Sequence, residues 1–505
     1  MQTKAKRRNL VIQEAEGNFR ADSRVFMRSS TRYHFNKVGS DTRCHFSKIH
    51  DIGYCRAKTK RCLDDEPGET KNTRVLFHVD GQTTDGLAES TAAWNVVWNA
   101  TGNELRIAAI QVEEHEHVTT RTTTDNTTFA DCTASILAGN DSYRNQLLRG
   151  TDYWRSRFPR NFGLDVVANH GLAIGDVNGD HLEDIYLCQQ GGLPNRLYLQ
   201  QPDGTLLDAS AESGANWMDY SPSALLIDLD NDGDLDLVVS NESRIMLMDN
   251  DGKAHFRIRT AVDTRAQTFS LSARDFDLDG DVDIYCCGYN PLSDRARTGA
   301  MGEPLPYHDA QNGGENILIR NELDWQFTDA TNEVGLDDNN NRFSFAASWE
   351  DYDNDGDSDL YVANDYGRNN LYRNDNGRFR DVAGEIGVED MSAGMSINWA
   401  DFNRDGWMDF YVSNMFSAAG NRITFQRQFR ANENNALKQQ YQRHARGNSL
   451  FQSDGNGGFT DVSVSAGITM GRWAWGSRSC DFNNDGWQDI IVANGFITAE
   501  DTGDL

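Results

Sequence analysis

Six nine-residue phrases hold the side chains in this sequence best suited to chemistry. Their odd positions read Asp176, Asn178, Asp180, Leu182 and Asp184; Asp228, Asp230, Asp232, Asp234 and Asp236; Asp275, Asp277, Asp279, Asp281 and Asp283; Asp351, Asp353, Asp355, Asp357 and Asp359; Asp401, Asn403, Asp405, Trp407 and Asp409; Asp481, Asn483, Asp485, Trp487 and Asp489. Positions 1, 3, 5 and 9 are Asp or Asn every time, so hard oxygen donors recur at alternate residues of a short loop. Position 6 is Gly in five phrases, which admits a positive φ, and His181 in the first. The pattern suits Ca2+, which takes oxygen ligands at about 2.3–2.6 Å. Position 7 varies between Leu, Asp and Trp, so its backbone carbonyl is the ligand expected there. An EF-hand needs Glu at position 12 and flanking helices. Here position 12 is Leu187, Val239, Cys286, Val362, Val412 or Val492, which excludes that motif and a dockerin-like one.

Charge supports the same reading. Of the 24 ligand positions 1, 3, 5 and 9, three are Asn and 21 are Asp. Two carboxylates about 5 Å apart repel by roughly 3 kcal/mol at an effective dielectric of 20, so metal-free loops should be strained. Up to six structural Ca2+ would move the formal net charge from −29 to −17. One Asp-Gly-rich turn could merely connect a hairpin; six matching turns argue for ligation. Residues 1–75 hold 17 Lys/Arg against 9 Asp/Glu, net +8, so the remainder carries −37. That acidity excludes nucleic acid as the expected partner.

The elements that must position these loops can be read from the spacing. The phrases start 52, 47, 76, 50 and 80 residues apart, so insertions of about 25–30 residues interrupt a period near 50. An apolar run follows each loop, as in Leu237–Val239 or Leu360–Val362, and a strand-like stretch such as Ala224–Ile227 precedes it. Third and fourth stretches follow at Asn370–Arg373 and Phe379–Val382. Four short strands per period describe one antiparallel blade, and blades escape their open edges by closing into a ring. The expected fold is all-β, a β-propeller of seven four-stranded blades, with six as the alternative and the Asp-rich calcium loops in the strand 1–2 hairpins.

The expected organisation has a basic N-terminal extension at 1–73, then a metal-free blade or closing strands at 74–133. An exposed helical connection follows at 134–164, the propeller at 165–497 and a tail at 498–505. No run reaches the ~18 apolar residues of a membrane span, and the basic start lacks the apolar stretch of an export signal. Cys44, Cys55 and Cys62 lack a Cys-x-x-Cys zinc pattern, leaving a disulfide or free thiols open; Cys286 and Cys287 should pack on opposite faces of a strand. A monomer is expected. Sequons stand at Asn99, Asn126, Asn140 and Asn241.

The six loops, the phrase Asp359–Asn364, the phrase Asn369–Asn374 and Phe459–Val462 together resemble FG-GAP/VCBS repeats. Such repeats build the propellers of integrin α subunits and of cartilage acidic protein (ASPIC) relatives, and the resemblance covers about 165–497. It implies structural calcium on one rim and an extracellular, periplasmic or cell-surface adhesion or carbohydrate-associated role.

Strand alternation puts the strand 2–3 connections on the rim opposite the strand 1–2 loops. Both long insertions, about 288–315 and 415–446, fall there. The first carries Tyr307, His308 and Asp309; the second carries Arg422, Arg427, Arg430, Lys438, Arg443 and Arg446 against Glu433 alone, with Tyr441 and His444. The pairs Phe425/Phe429 and Leu437/Tyr441 have helical i,i+4 spacing. A protein or an anionic glycan is the expected ligand of Tyr307, His308, Arg422, Arg427, Arg430, Tyr441, Arg443 and His444. In a blander reading the cations pair with their own acidic propeller. A calcium-dependent polysaccharide lyase or hydrolase, with His308, Asp309 and His444 meeting as base and orienter, is the alternative. No phosphate loop, nucleophile elbow or His-Glu-x-x-His occurs, so an enzyme is not the expected class.

Overall fold

The computed structural model describes residues 33–38, 41–46, 51–62, 70–83, 86–101, 104–121, 130–149, 153–154, 156–158, 171–241, 243–292 and 303–494. The expected tail at 498–505, the first 32 residues and the sequon at Asn126 lie outside them. The chain forms two compact units, residues 1–130 with 480–489 and residues 131–479 with 490–505.

In the first unit β1 (Tyr33–Val38) pairs antiparallel with β2 (Asp41–Phe46). A four-stranded antiparallel sheet follows in chain order: β3 (Asp51–Cys62), β4 (Thr70–Thr83), β5 (Gly86–Thr101) and β6 (Glu104–Arg121). Val75–Val79 lies in β4, with β3 on one edge and β5 on the other. Cys44 is in β2, and Cys55 and Cys62 are in β3.

The second unit repeats one sheet. Its blades are β7 (Leu172–Gly175), β8 (Asp184–Leu187), β9 (Arg196–Gln200) and β10 (Leu206–Asp208); β11 (Ala224–Ile227), β12 (Asp236–Asn241), β13 (Arg244–Asn250) and β14 (Phe256–Asp263); β15 (Ala266–Arg274), β16 (Asp283–Pro291), β17 (Ile317–Asn321) and β18 (Phe327–Asp329). Next come β19 (Ser344–Glu350), β20 (Asp359–Asn364), β21 (Asn370–Asn374) and β22 (Phe379–Asp381), then β23 (Gly394–Ala400), β24 (Asp409–Asn414), β25 (Ser449–Ser453) and β26 (Phe459–Asp461). A sixth repeat begins as the hairpin β27 (Ala474–Cys480) and β28 (Asp489–Asn494). Five four-stranded sheets, together with this hairpin, are the repeated sheets of an all-β propeller. Each Asp-rich phrase begins in a strand 1–2 turn and ends on the first residue of strand 2.

The core lies between successive blades of the second unit. Second strands are buried on both faces, as in β20 and β24, because each blade is covered by the next. They therefore read as unbroken apolar runs rather than alternating ones. Cys286 packs with Val238, Leu247 and Ile284 of one inter-blade cluster, and Cys287 with Leu318, Leu360 and Tyr372 of the next. The expected opposite-face packing of the two thiols holds.

Two local expectations differ from the structure. The connection after residue 130 has a helix α1 (Thr133–Leu137) and a π-helical turn at Tyr143–Leu147, but it is not exposed throughout: Leu137, Asn140, Ser142, Tyr143 and Gln146 are buried. It covers strand β10, an outer edge that would otherwise stay open: Asn140 donates to the Leu206 carbonyl at 2.7 Å and accepts from the Asp208 amide at 2.9 Å. Asn140 is thus engaged through both amide atoms and is no free glycosylation acceptor.

In the second insertion, after the one-turn helices α2 (Thr331–Val334) and α3 (Ala383–Ile386), come α4 (Ala418–Thr424) and α5 (Asn435–His444). Leu437 and Tyr441 lie in α5 as the spacing implies. Phe425 and Phe429 lie beyond the end of α4. The chain turns there, with Arg430 at φ 44°, and the Asn434 side chain caps a new helix by accepting from the Ala436 amide.

Candidate functional site

All six Asp-rich turns share one backbone geometry. Position 6 has positive φ at Gly233, Gly280, Gly356, Gly406 and Gly486, and His181 adopts the same region at 67°. Position 4 is left-handed too, at Gly179, Asn231, Leu278, Asn354, Arg404 and Asn484. Sequence reading missed position 4; only the Asn and Gly residues hinted at it.

Aspartates hold these turns through backbone amides. The position 1 carboxylate accepts from the position 6 amide in every loop, from 2.6 Å at Gly486 to 3.2 Å at Gly356. Position 5 accepts from the position 7 amide. Position 9 accepts from the position 2 amide at 3.0–3.2 Å. In the first five loops its other oxygen accepts from the last amide of strand 3 at 2.8–2.9 Å.

What remains unsatisfied points to a cation. Oxygens converge within 4.8 Å of one another in Asp228/Asp230/Asp236, Asp275/Asp277/Asp279 and Asp351/Asp353/Asp355. Asp228 Oδ1, Asp230 Oδ1, Asp234 Oδ1 and Asp353 Oδ1 are buried with no hydrogen-bond partner, a costly state that a hard cation would relieve. Burial, then neighbouring carboxylates, push Asp234 up to about 6 and raise Asp230, Asp277 and Asp353. Burial likewise pushes Asp236 and Asp283 up to about 7, Asp359 to about 8 and Asp409 to about 6. At position 3 of the other three loops the neutral Asn178, Asn403 and Asn483 each accept from the position 5 amide instead. The donor set fits Ca2+.

On the strand 2–3 rim of the second unit, the two insertions meet. The His308 ring lies 4.6 Å from Tyr441, and Tyr307 lies edge-on to His444 at 5.3 Å. Burial lowers His308 and pushes His444 down to about 4. Both are neutral at pH 7. Arg430 donates to the Tyr441 hydroxyl at 2.9 Å and to Glu433. Arg443 pairs with Asp390 at 2.5 Å, and Arg446 with Asp461 at 2.9 Å, so these cations fasten the insertion to its own propeller. Arg422 and Arg427 are exposed on the same insertion. Of the residues of the catalytic alternative, Asp309 is paired with Arg342 at 2.8 Å and with Arg368 at 3.2 Å.

A second buried acid lies beside this cluster. Asp365, 4% exposed, accepts from the Tyr289 hydroxyl at 2.5 Å, and burial pushes it up to about 7. A carboxyl raised in the folded state contributes stability that is fully present below about pH 4 and lost as pH rises through about 7. Asp365→Asn keeps an acceptor for Tyr289 and removes this loss, of order 4 kcal/mol. In urea unfolding at pH 5 to 8 with excess Ca2+, the variant should gain on the wild type as pH rises. A constant gap refutes the assignment.

Fold and loops define the class: a β-propeller with Asp-rich hairpin turns. Residues 176–239, 228–286, 351–412 and 440–492 match the FG-GAP-like repeat, and all six turns fall within these stretches. The chain carries FG-GAP-like repeats over these stretches. It is similar to cartilage acidic protein 1 of Xenopus tropicalis, 26% identical over 180 residues (32% of this chain, 26% of that protein). It is also similar to the Mus musculus protein of that name, 26% identical over 167 residues with the same coverage. The chain thus spans about a quarter of the length of these relatives. The structure of BBS1N in complex with ARL6DN, soaked with lead, aligns with a TM-score of 0.27 at 11% identity, over 48% of this chain and 63% of that one. Among the described residues, no helix is long and apolar enough to cross a membrane.

Proposed function

We propose that this chain is a calcium-stabilised binding module that offers the rim built from its two insertions to an acidic partner, an anionic glycan or a protein. The carrying observation is the join itself. Tyr307 and His308 of one insertion pack on His444 and Tyr441 of the other, while Leu305, Tyr307, Ile423 and Phe425 stay exposed. Arg427 and Lys438 stand on that insertion with no carboxylate partner among the described residues, on a chain of net charge −29. Exposed aromatics beside unpaired cations suit a flat, negatively charged ligand. The thirty odd-position residues of the six phrases are the proposed calcium ligands, with positions 1, 3, 5 and 9 through side chains and position 7 through its carbonyl. Such sites fill at millimolar free calcium, which favours an extracellular, periplasmic or cell-surface setting. The proposed boundaries are those of the repeat, 165–497, with 1–73 as an extension, and the module acts as a monomer.

Immobilised sulfated or uronic-acid polysaccharide and an acidic polyglutamate peptide, each at 0.15 M salt, test the surface. Reversing Arg427 and Lys438 to Glu should weaken binding at least about tenfold and flatten its salt dependence. Unchanged binding sinks the assignment of this rim. Release of shortened or unsaturated sugar would make the chain an enzyme instead.

A further inference from the structure

One asparagine repeats at the junctions between metal loops, and no feature of the loop motif accounts for it. Asn250, Asn321 and Asn374 end the third strands of the second, third and fourth blades. Asn250 Nδ2 donates to the Val177 carbonyl of the first loop and to the Leu235 carbonyl of its own, both at 2.9 Å. Asn321 Nδ2 reaches Leu229 of the second loop at 2.8 Å and Val282 of its own at 3.4 Å. Asn374 Nδ2 reaches Phe276 of the third loop at 2.9 Å and Ser358 of its own at 3.1 Å. Each amide group therefore grips position 2 of the preceding loop and position 8 of its own.

The grip is continuous with the aspartates. The backbone amide of each asparagine donates to its own position 9 carboxylate, whose other oxygen holds its own position 2 amide. Position 2 lies between two ligand positions, and its carbonyl is what the next asparagine takes. A single hydrogen-bonded chain thus runs Val177, Asn250, Asp236, Leu229, Asn321, Asp283, Phe276, Asn374, Asp359, Tyr352. Asn231 adds a direct second link, donating to Asp281 of the third loop at 2.8 Å. At the fifth blade the position is Ser453; its amide holds Asp409, but its hydroxyl accepts from the Gly455 amide of its own turn.

We infer that Asn250, Asn321 and Asn374 are positioning residues that couple the first four loops, so that an ion ordering one loop favours ordering of its neighbours. The inference rests on the calcium reading above. A loop that closes on a cation fixes its position 2 carbonyl; that pre-places the neighbouring asparagine, whose amide in turn fixes the next position 9 aspartate. Each loop is the two-state element, and the shared hydrogen bonds carry a coupling free energy between sites.

The test is calorimetric titration of the chelator-stripped full chain with CaCl2, alongside thermal unfolding with and without Ca2+. Wild type should show a cooperative phase with a Hill coefficient of about 2 or more. Asn321→Ala combined with Asn231→Gly removes both links between the second and third loops, cuts the chain in its middle and should drop that coefficient below the wild-type value, with midpoint affinity weakened about fivefold or more. Asn374→Ala should detach the fourth loop alone, and Ser453→Ala should leave the isotherm unchanged. A merely structural asparagine would lower the melting temperature equally in both conditions and leave the steepness intact, which overturns the coupling. Independent wild-type sites overturn it as well while leaving the calcium reading standing. No binding of Ca2+ at all defeats both.

Discussion

Exhaustive chelation will lower the melting temperature of this protein by more than about 10 °C, and millimolar Ca2+ will restore it. The expectation follows from crowding. Asp228, Asp230 and Asp234 each bury an oxygen with no partner in one turn, and Asp353 does so in another. Burial raises Asp236, Asp283, Asp359 and Asp409 toward neutrality, so metal-free turns hold either a repelling charge or an unwanted proton. An ion held at a hundred times its Kd adds about 2.7 kcal/mol, hence about 14 kcal/mol for the five loops that lie in the second unit. A unit of about 350 residues has an unfolding entropy near 0.7 kcal/mol/K, which makes the full shift about 20 °C. Mg2+ should restore less, because it insists on octahedral geometry and keeps its waters. A melting curve indifferent to chelator would remove calcium from the account.

The loops were legible because their ligand pattern is local and repeated six times, and the blades because the period of strands repeats with them. Other features depend on structure that the pattern does not encode. Left-handed backbone at Leu278 and Arg404 contradicts ordinary residue preference, and only the fixed turn imposes it. His181 departs from Gly at position 6, yet the amide bonds to Asp176 hold the same turn around it. The asparagine clasps lie 14 residues after Asp236 but 38 after Asp283, because the first insertion intervenes; a window sized to the motif passes over them. The meeting of His308 with Tyr441, 133 residues later, is purely tertiary. The same holds for the cations: composition counts six on the second insertion, but only packing reveals that Arg443 and Arg446 are spent on Asp390 and Asp461.

Asp309 is where the rim is most vulnerable. Its carboxylate bridges Arg342, whose side chain is 6% exposed, and Arg368, which also pairs with Glu389 at 3.0 Å. Around it the first insertion is seated closely on the fourth blade. The Ala310 amide donates to the Tyr366 carbonyl at 2.7 Å, and a side chain on Gly367, at φ 129°, would strike the Asp309 backbone at 2.6 Å. Asp309→Ala therefore strands a nearly buried guanidinium, and unfolding in urea with excess Ca2+ should show a loss of about 3–5 kcal/mol. Asp309→Asn keeps one acceptor and should lose less. The double variant Asp309→Ala with Arg342→Met should recover most of the stability, because the penalty comes from the unpaired charge rather than from the missing bond. Partner binding should stay weak in that double variant, since Arg368 no longer anchors the turn that presents Tyr307 and His308. A single-variant loss below about 1 kcal/mol would mean that water reaches Arg342 and that this ion pair does not seat the insertion.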